Sequence, residues 1–258
     1  MALAGEGSRE KFTARDYLEK YYTNPAGHHY LSLRCYHDVF QSLPSGLRIL
    51  DYGTGPSILT TVSAASKASK IILSDFADDN KKALWQWLER DPDAFDWSPY
   101  FSRVVQGLEG RSEKEAVERQ ELVRKAVKAV VHCDITQDPP VEKGYDQEYD
   151  VVMSSLCLEV ASQTPHEYKQ GMRKLAALVK PGGSLIIYGV QDNSTGFYTV
   201  GDVSFKVLCV TSDLAVEAMR DAGITGISVE KIKDVPVSVL KTGVRVLSFM
   251  FLRGIKCA

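Results

Sequence analysis

Four short apolar runs recur between residues 47 and 155, and each closes on a polar tip. Leu47, Ile49 and Leu50 lead to Asp51; Ile71, Ile72 and Leu73 lead to Ser74 and Asp75; Ala129, Val130 and Val131 lead through His132 and Cys133 to Asp134; Val151, Val152 and Met153 lead to Ser154 and Ser155. Runs of this length, rich in β-branched residues, predict strands. Between them the apolar spacing lengthens to four. Leu84 with Leu88 and Ala83 with Trp87 form one face of a helix over 78–89. A charged helix over about 112–128 turns Val123, Val127 and Val130 inward and leaves Glu113, Lys114, Glu118, Arg124 and Lys125 in water. A small-residue helix is expected over 57–68. Tyr168, Met172, Leu175 and Val179 form a stripe predicting a helix over 165–179, stopped by Lys180-Pro181-Gly182-Gly183 before a fifth strand over 184–188. Strands alternating with helices from 47 to 190 predict an α/β fold with a parallel sheet and right-handed crossovers, Rossmann-like and doubly wound.

The flanks of this core read differently. Alternation over 197–205 around Gly201-Asp202 predicts a hairpin, followed by a helix near 212–222 and strands near 226–233 and 244–252. A late hairpin-like pair of this kind matches a reversed final strand. Upstream, Tyr17, Tyr21 and Tyr22 crowd into a helix over 13–22, with Tyr17 and Tyr21 at i, i+4 spacing. This helix is either a tyrosine-covered surface element or a lid over a bound small molecule. Asn24-Pro25-Ala26-Gly27 ends it, and a second helix is expected over 28–42, with His28 and His29 as ordinary surface or helix-start residues. Stretches 91–99, carrying Phe95 and Trp97, and 138–146 read as loops. The expected organisation is one domain: a disordered start over 1–12, a helical lid over 13–45, and a Rossmann-like core over 46–258.

Composition narrows the partners. The 258 residues carry a formal net charge of −2 with both signs dispersed, which leaves no electrostatic footprint for nucleic acid or a membrane surface. No apolar stretch approaches the ~20 residues of a membrane helix, and residues 1–10 lack the pattern of a signal peptide. Five widely spaced cysteines without a CxxC read as reduced thiols, not as a disulfide or metal framework. A cytoplasmic monomer acting on a small molecule, with no metal, nucleic acid or membrane partner, is expected.

The candidate chemistry lies at the strand tips. Gly53 and Gly55 let a ligand approach the backbone without an intervening Cβ, and a carboxylate at the second tip, Asp75, accepts two ribose hydroxyls at once. Ile58 stands where a dinucleotide fingerprint has its third glycine, which disfavours the alternative of an NAD-dependent oxidoreductase. A single strand-end acid is commonly a helix N-cap; three acids in register with a glycine loop favour a ligand site.

Several motifs occur in order: Asp16-Tyr17-Leu18-Glu19-Lys20-Tyr21-Tyr22, Asp51-x-Gly53-x-Gly55-Pro56, Ser74-Asp75-Phe76 with Asn80, Phe95-Asp96-Trp97-Ser98-Pro99, Cys133-Asp134-Ile135-Thr136-Gln137, Leu156-Cys157-Leu158-Glu159 and Lys180-Pro181-Gly182-Gly183. Together they resemble the nicotinamide, phenylethanolamine and indolethylamine N-methyltransferases over about residues 13–223. The resemblance implies a mostly parallel seven-stranded sheet and S-adenosylmethionine (SAM) as cofactor. It implies that Tyr17 and Tyr22 cover the cofactor, that Gly53, Thr54 and Gly55 follow its methionine end, and that Asp75, Phe76 and Asn80 meet the ribose side. Asp134 and Ile135 would take the adenine, and Ser155 the methionine amino end. Leu156, Tyr198 and Tyr17 would flank a small aromatic or arylalkyl amine, methylated at nitrogen by in-line displacement. The acceptor pocket departs from the family pattern: Gly189 stands where the nicotinamide enzyme has an acid, Val207 where it has a serine, Leu214 where the phenylethanolamine enzyme has a glutamate, and Leu59 where a tyrosine is expected. Asp192 is a candidate acceptor-side charge. No catalytic base is assigned; Tyr17 and Asp192 are the candidates. A family member that binds SAM without transferring its methyl is the other alternative.

Overall fold

The computed structural model describes residues 12–191, 196–200, 203–232 and 248–257. Its centre is a seven-stranded sheet built from β1 (Leu47–Tyr52), β2 (Ala68–Asp75), β3 (Val127–His132), β4 (Tyr149–Ser155), β5 (Val179–Gln191), β8 (Ile224–Ile232) and β9 (Ser248–Lys256), in the order β3-β2-β1-β4-β5-β9-β8. The first five run parallel, while β9 lies antiparallel between β5 and β8. The β1 run has no polar alternation because both faces are covered. Ile49 joins a core with Leu33, Tyr36, Phe40 and Val123, and its neighbour Leu50 joins the opposite one with Met172, Leu175 and Met219.

Helices α1 (Ala14–Tyr21), α2 (His28–Ser42), α3 (Thr61–Ala64), α4 (Asp78–Leu88), α5 (Ser98–Ser102), α6 (Glu113–Ala126), α7 (Leu158–Ala161), α8 (Pro165–Ala177) and α9 (Ser212–Asp221) surround the sheet, with a π-helix over Arg103–Leu108. The helix expected over 57–68 shrinks to α3. Ser57 Oγ accepts the Leu59 N–H and Thr61 Oγ1 donates to the Ile58 carbonyl at 2.5 Å, so hydroxyls take backbone groups that an earlier helix start would need. The helix expected to reach Val179 stops at Ala177, and the Lys180–Gly183 segment opens β5, bent at Gly182 with φ +76°. Likewise α6 ends at Ala126, and Val127 and Val130 belong to β3.

The hairpin forms from β6 (Phe197–Val200) and β7 (Val203–Lys206), its turn residues lying outside the described ones. It is a separate two-stranded sheet; the reversed strand of the main sheet is β9, and residues 244–247 of the strand expected there lie outside the described ones. Helix α1 docks on this hairpin. Thr13 caps it by accepting the Asp16 N–H at 3.0 Å, and the Ala14 N–H donates to Asp79 Oδ2 at 2.6 Å. Lys20 Nζ donates to Thr199 Oγ1 at 2.7 Å, and the Tyr21 hydroxyl to the Thr199 carbonyl at 2.6 Å. Among the described residues no helix is long and apolar enough to cross a membrane.

Candidate active site

A cavity of about 1180 Å³ runs along the carboxyl edge of the sheet, roofed by α1 and the β6-β7 hairpin. It passes six strand tips from β3 to β9, roughly 24 Å at about 4.8 Å per strand. The predicted residues Tyr17, Tyr22, Gly53, Thr54, Gly55, Asp75, Phe76, Asn80, Asp134, Ile135, Ser155, Leu156 and Tyr198 all line it.

The half over β1, β2 and β3 is fixed by backbone. Gly53 and Gly55 both hold φ +66°, and a Cβ on Gly53 would overlap Cys157 Sγ. Asp75 is 6% exposed. Its Oδ2 accepts the Gly55 N–H at 2.7 Å, and its Oδ1 accepts the Ala77 N–H and the Asn80 amide, each at 2.9 Å. Burial nonetheless raises its pKa. Below the loop, Asp51 is fully buried, bonded by the Thr60 hydroxyl and pushed up to about 7 by burial. Two buried oxygens, Asp51 Oδ1 and Asn80 Oδ1, have no partner among the described residues. At the β3 tip, Asp134 accepts the Thr136 N–H at 2.9 Å and its hydroxyl at 2.7 Å; partial burial opposes these bonds, but they hold the carboxyl below its ordinary range.

The roof is aromatic. Tyr17 lies 5.7 Å from Tyr22 and 6.5 Å from Tyr198 between ring centroids. Trp97 from the insertion meets Tyr22 edge-on at 5.4 Å, and the Tyr100 hydroxyl donates to the Tyr22 carbonyl at 3.1 Å. The insertion expected as loop therefore braces the lid. Tyr36 shares a short hydrogen bond with Ser155.

The half beyond β4 is assembled from distant pieces. Leu156 holds φ +51° and donates its N–H to the Tyr188 carbonyl at 2.7 Å; positive φ on a branched residue is strain of a kind concentrated at functional sites. Tyr198 stacks on Phe205 at 5.0 Å. Val207 and Leu59 line the cavity, whereas Leu214 does not and is half-buried against the core that holds Met172 and Met219. Gly189 does not line it: Tyr188 and Val190 do, and the space where a Gly189 side chain would begin lies 3.4 Å from Glu159 Oε1. Asp192 lies outside the described residues.

Two groups stand out that spacing alone did not assign. Glu159, 2% exposed, accepts the Val190 N–H at 2.9 Å, and burial pushes its pKa up to about 7. The signal for it was an acid set directly after three apolar positions. His28 and His29, expected on the surface, both line the cavity. His29 stacks on Tyr22 at 4.4 Å. His28 begins α2, as expected, but its ring stacks on Phe249 at 4.4 Å, and its Nδ1 lies 3.4 Å from the Tyr188 hydroxyl. Burial lowers it to about 4.

The mostly parallel seven-stranded α/β fold is shared with solved methyltransferases. The 1,6-didemethyltoxoflavin N1-methyltransferase of Burkholderia thailandensis, solved with its acceptor and S-adenosylhomocysteine, superposes with a TM-score of 0.55 at 16% identity over 100% of this chain and 93% of its own. That likeness gives the fold; the class, a SAM-dependent methyltransferase, is given by the relatives and the family that the sequence matches. Nicotinamide N-methyltransferase of Homo sapiens is 35% identical over 221 residues, 83% of this chain and 82% of its own. Indolethylamine N-methyltransferase of Oryctolagus cuniculus is 32% identical over 230 residues, 85% of this chain and 84% of its own. The sequence profile of the NNMT/PNMT/TEMT family matches residues 1–254, and the chain belongs to that family.

Proposed function

We propose that this chain methylates the amine nitrogen of a small arylalkylamine, with Glu159 receiving the ammonium proton. The carrying observation is a buried carboxyl in the half of the cavity beyond β4, with no side chain present at Gly189 and none but an apolar one at Val207. An acid removed from the strand after β5's core is supplied instead from α7.

When bound, SAM supplies a methyl group on a sulfonium, already an activated leaving group. Asp75, held by Asn80, suits the two ribose hydroxyls, and Asp134 with Ile135 suits the adenine edge. Gly53, Thr54 and Gly55 leave room for the methionine end, Ser155 is positioned for its amino group, and Phe76 flanks the adenosine side. The buried acids Asp51 and Asp75, and the faces of Tyr17, Tyr22 and Tyr198, favour a cation over a neutral ligand. Beyond β4, Leu156 and Tyr198 flank a flat acceptor. Glu159 as carboxylate takes one proton from the ammonium, which frees the nitrogen lone pair to attack; a pyridine-type nitrogen would need no such group. Free thiols at Cys35, Cys133, Cys157, Cys209 and Cys257 suit a reducing compartment.

The test is release of S-adenosylhomocysteine from SAM across a panel of phenylethylamines, tryptamines and pyridines. Faster turnover of the alkylamines supports the reading. Turnover confined to pyridines removes Glu159 from the chemistry, and S-adenosylhomocysteine binding without any turnover makes the chain a binder only.

A further inference from the structure

We propose that His28 and Tyr188 form a hydrogen-bonding subsite for a hydroxyl on the acceptor's ring, so that the chain prefers hydroxylated arylalkylamines to unsubstituted ones. This rests on the amine-methylating reading above.

The sheet order carries the first part of the argument. Asp134, Asp75, Gly53 and Ser155 mark the β3, β2, β1 and β4 tips, so a cofactor laid across them leaves the tips of β5 and β9 free, two strand widths or about 10 Å. That length accommodates an aromatic ring on a two-carbon arm. His28 and Tyr188 lie at this end, both in contact with Phe249: the His28 ring stacks on it at 4.4 Å and 16°, and the Tyr188 ring at 5.4 Å and 10°. The walls are therefore flat and apolar, with the imidazole and the phenol as polar atoms joined at 3.4 Å.

Chemistry selects the occupant. Burial keeps His28 as the neutral imidazole above about pH 4, and a neutral imidazole offers one donor and one acceptor. With Nδ1 engaged by Tyr188, Nε2 remains, as donor or acceptor according to tautomer. A hydroxyl serves either tautomer because it both donates and accepts. A ring-borne carboxylate would meet no fixed cation here among the described residues and would face the Glu159 carboxyl. A second ammonium would find its counter-charge at Glu159, not at an uncharged imidazole.

The test compares kcat/KM for tyramine and its 2- and 3-hydroxy isomers with that for phenylethylamine, in the wild type, H28F and Y188F. H28F keeps a flat ring to stack on Phe249; Y188F removes only the phenol hydroxyl, and melting temperatures check that each variant folds. The wild type should prefer one hydroxylated isomer by about tenfold, the scale of a hydrogen bond to a buried polar group left unmet. H28F should bring that ratio close to one, and Y188F should lower it by a smaller factor. A wild type without preference overturns the proposal, as does an H28F ratio equal to the wild type's. Should no amine yield S-adenosylhomocysteine, the amine-methylating reading fails with it; amines methylated at equal efficiency sink the subsite alone.

Discussion

The two halves of the cavity are built on opposite principles. Over β1 to β3, ligand-facing groups are held by backbone: Asp75 is tied by the N–H groups of Gly55 and Ala77 as well as by Asn80, and the glycine loop is shaped by φ. Beyond β4, the surface is made of side chains from α2, α7, β5, β9 and the hairpin, and it holds a buried acid that accepts the Val190 N–H. A site made from backbone keeps its shape as side chains vary, whereas a site made from side chains is re-specified one substitution at a time. Cofactor and acceptor recognition are thereby separable in this fold.

Breaking that separation starts with Asp75. If Asp75 takes both ribose hydroxyls as proposed, D75A removes two charge-assisted bonds and frees the Gly55 loop, an expected loss of about 3 to 6 kcal/mol, a hundredfold to ten-thousandfold in S-adenosylhomocysteine affinity by calorimetry. Undiminished affinity would remove Asp75 from the site.

E159Q should act on the other half alone. Turnover of an alkylamine should fall by about a hundredfold with KM for SAM within about threefold, and the rise of wild-type activity through pH about 7 should vanish from the profile. Stability supplies an independent check. The folded chain keeps this proton to about pH 7, whereas an ordinary glutamate releases it near 4.5, so stability falls as pH rises through that window and stays lowered above it. Thermal melts should place E159Q above the wild type at pH 8 and show no gain at pH 4; a variant less stable at both would mean that the carboxylate is needed by the fold.

Gly53 tests whether backbone conformation or space sets the loop. G53A combines positive φ, costing about 1 to 2 kcal/mol, with overlap against Cys157. Adding C157A should remove the Sγ overlap but leave both the contact with the residue-157 Cβ at 2.8 Å and the φ cost, so the double variant melts between G53A and the wild type. Full recovery would show that φ costs nothing here.

The smallest effect is expected at Lys174. Its Nζ donates to the carbonyls of Ile135, Thr136 and Gln137 at 3.0, 3.2 and 2.6 Å, bracing the loop that carries Asp134. K174M should raise KM for SAM by about three- to tenfold while kcat at saturation holds; a fall in kcat alone would contradict a role confined to the cofactor half.

The same contrast explains what the sequence made legible. Strand tips, the glycine loop and the acids Asp75 and Asp134 are local patterns, each a run of apolar residues closed by one or two polar ones, and they gather at one edge because parallel strands align their carboxyl ends. The helix over 13–22 also followed from local signals, its tyrosines at helical spacing, although spacing left open whether it was a surface element or a lid. Glu159 closes the apolar run Leu156-Cys157-Leu158 and His28 follows Gly27, but nothing local says what either does: both take on meaning only when β5 and β9 bring Val190, Tyr188 and Phe249 against them. The short α3 was missed for a different reason, since hydroxyl-to-backbone bonds over 57–61 compete with a helix that side-chain size alone would allow.

The central claim is that the cofactor lies across the β3 to β4 tips and leaves the β5 and β9 end for the acceptor. A crystal structure with S-adenosylhomocysteine bound tests it most directly. The account predicts the ribose hydroxyls on Asp75, the adenine beside Asp134 and Ile135, and the sulfur facing the space between Leu156, Tyr198 and Glu159. An adenosine seated against His28 and Phe249, or a ribose away from Asp75, would contradict it.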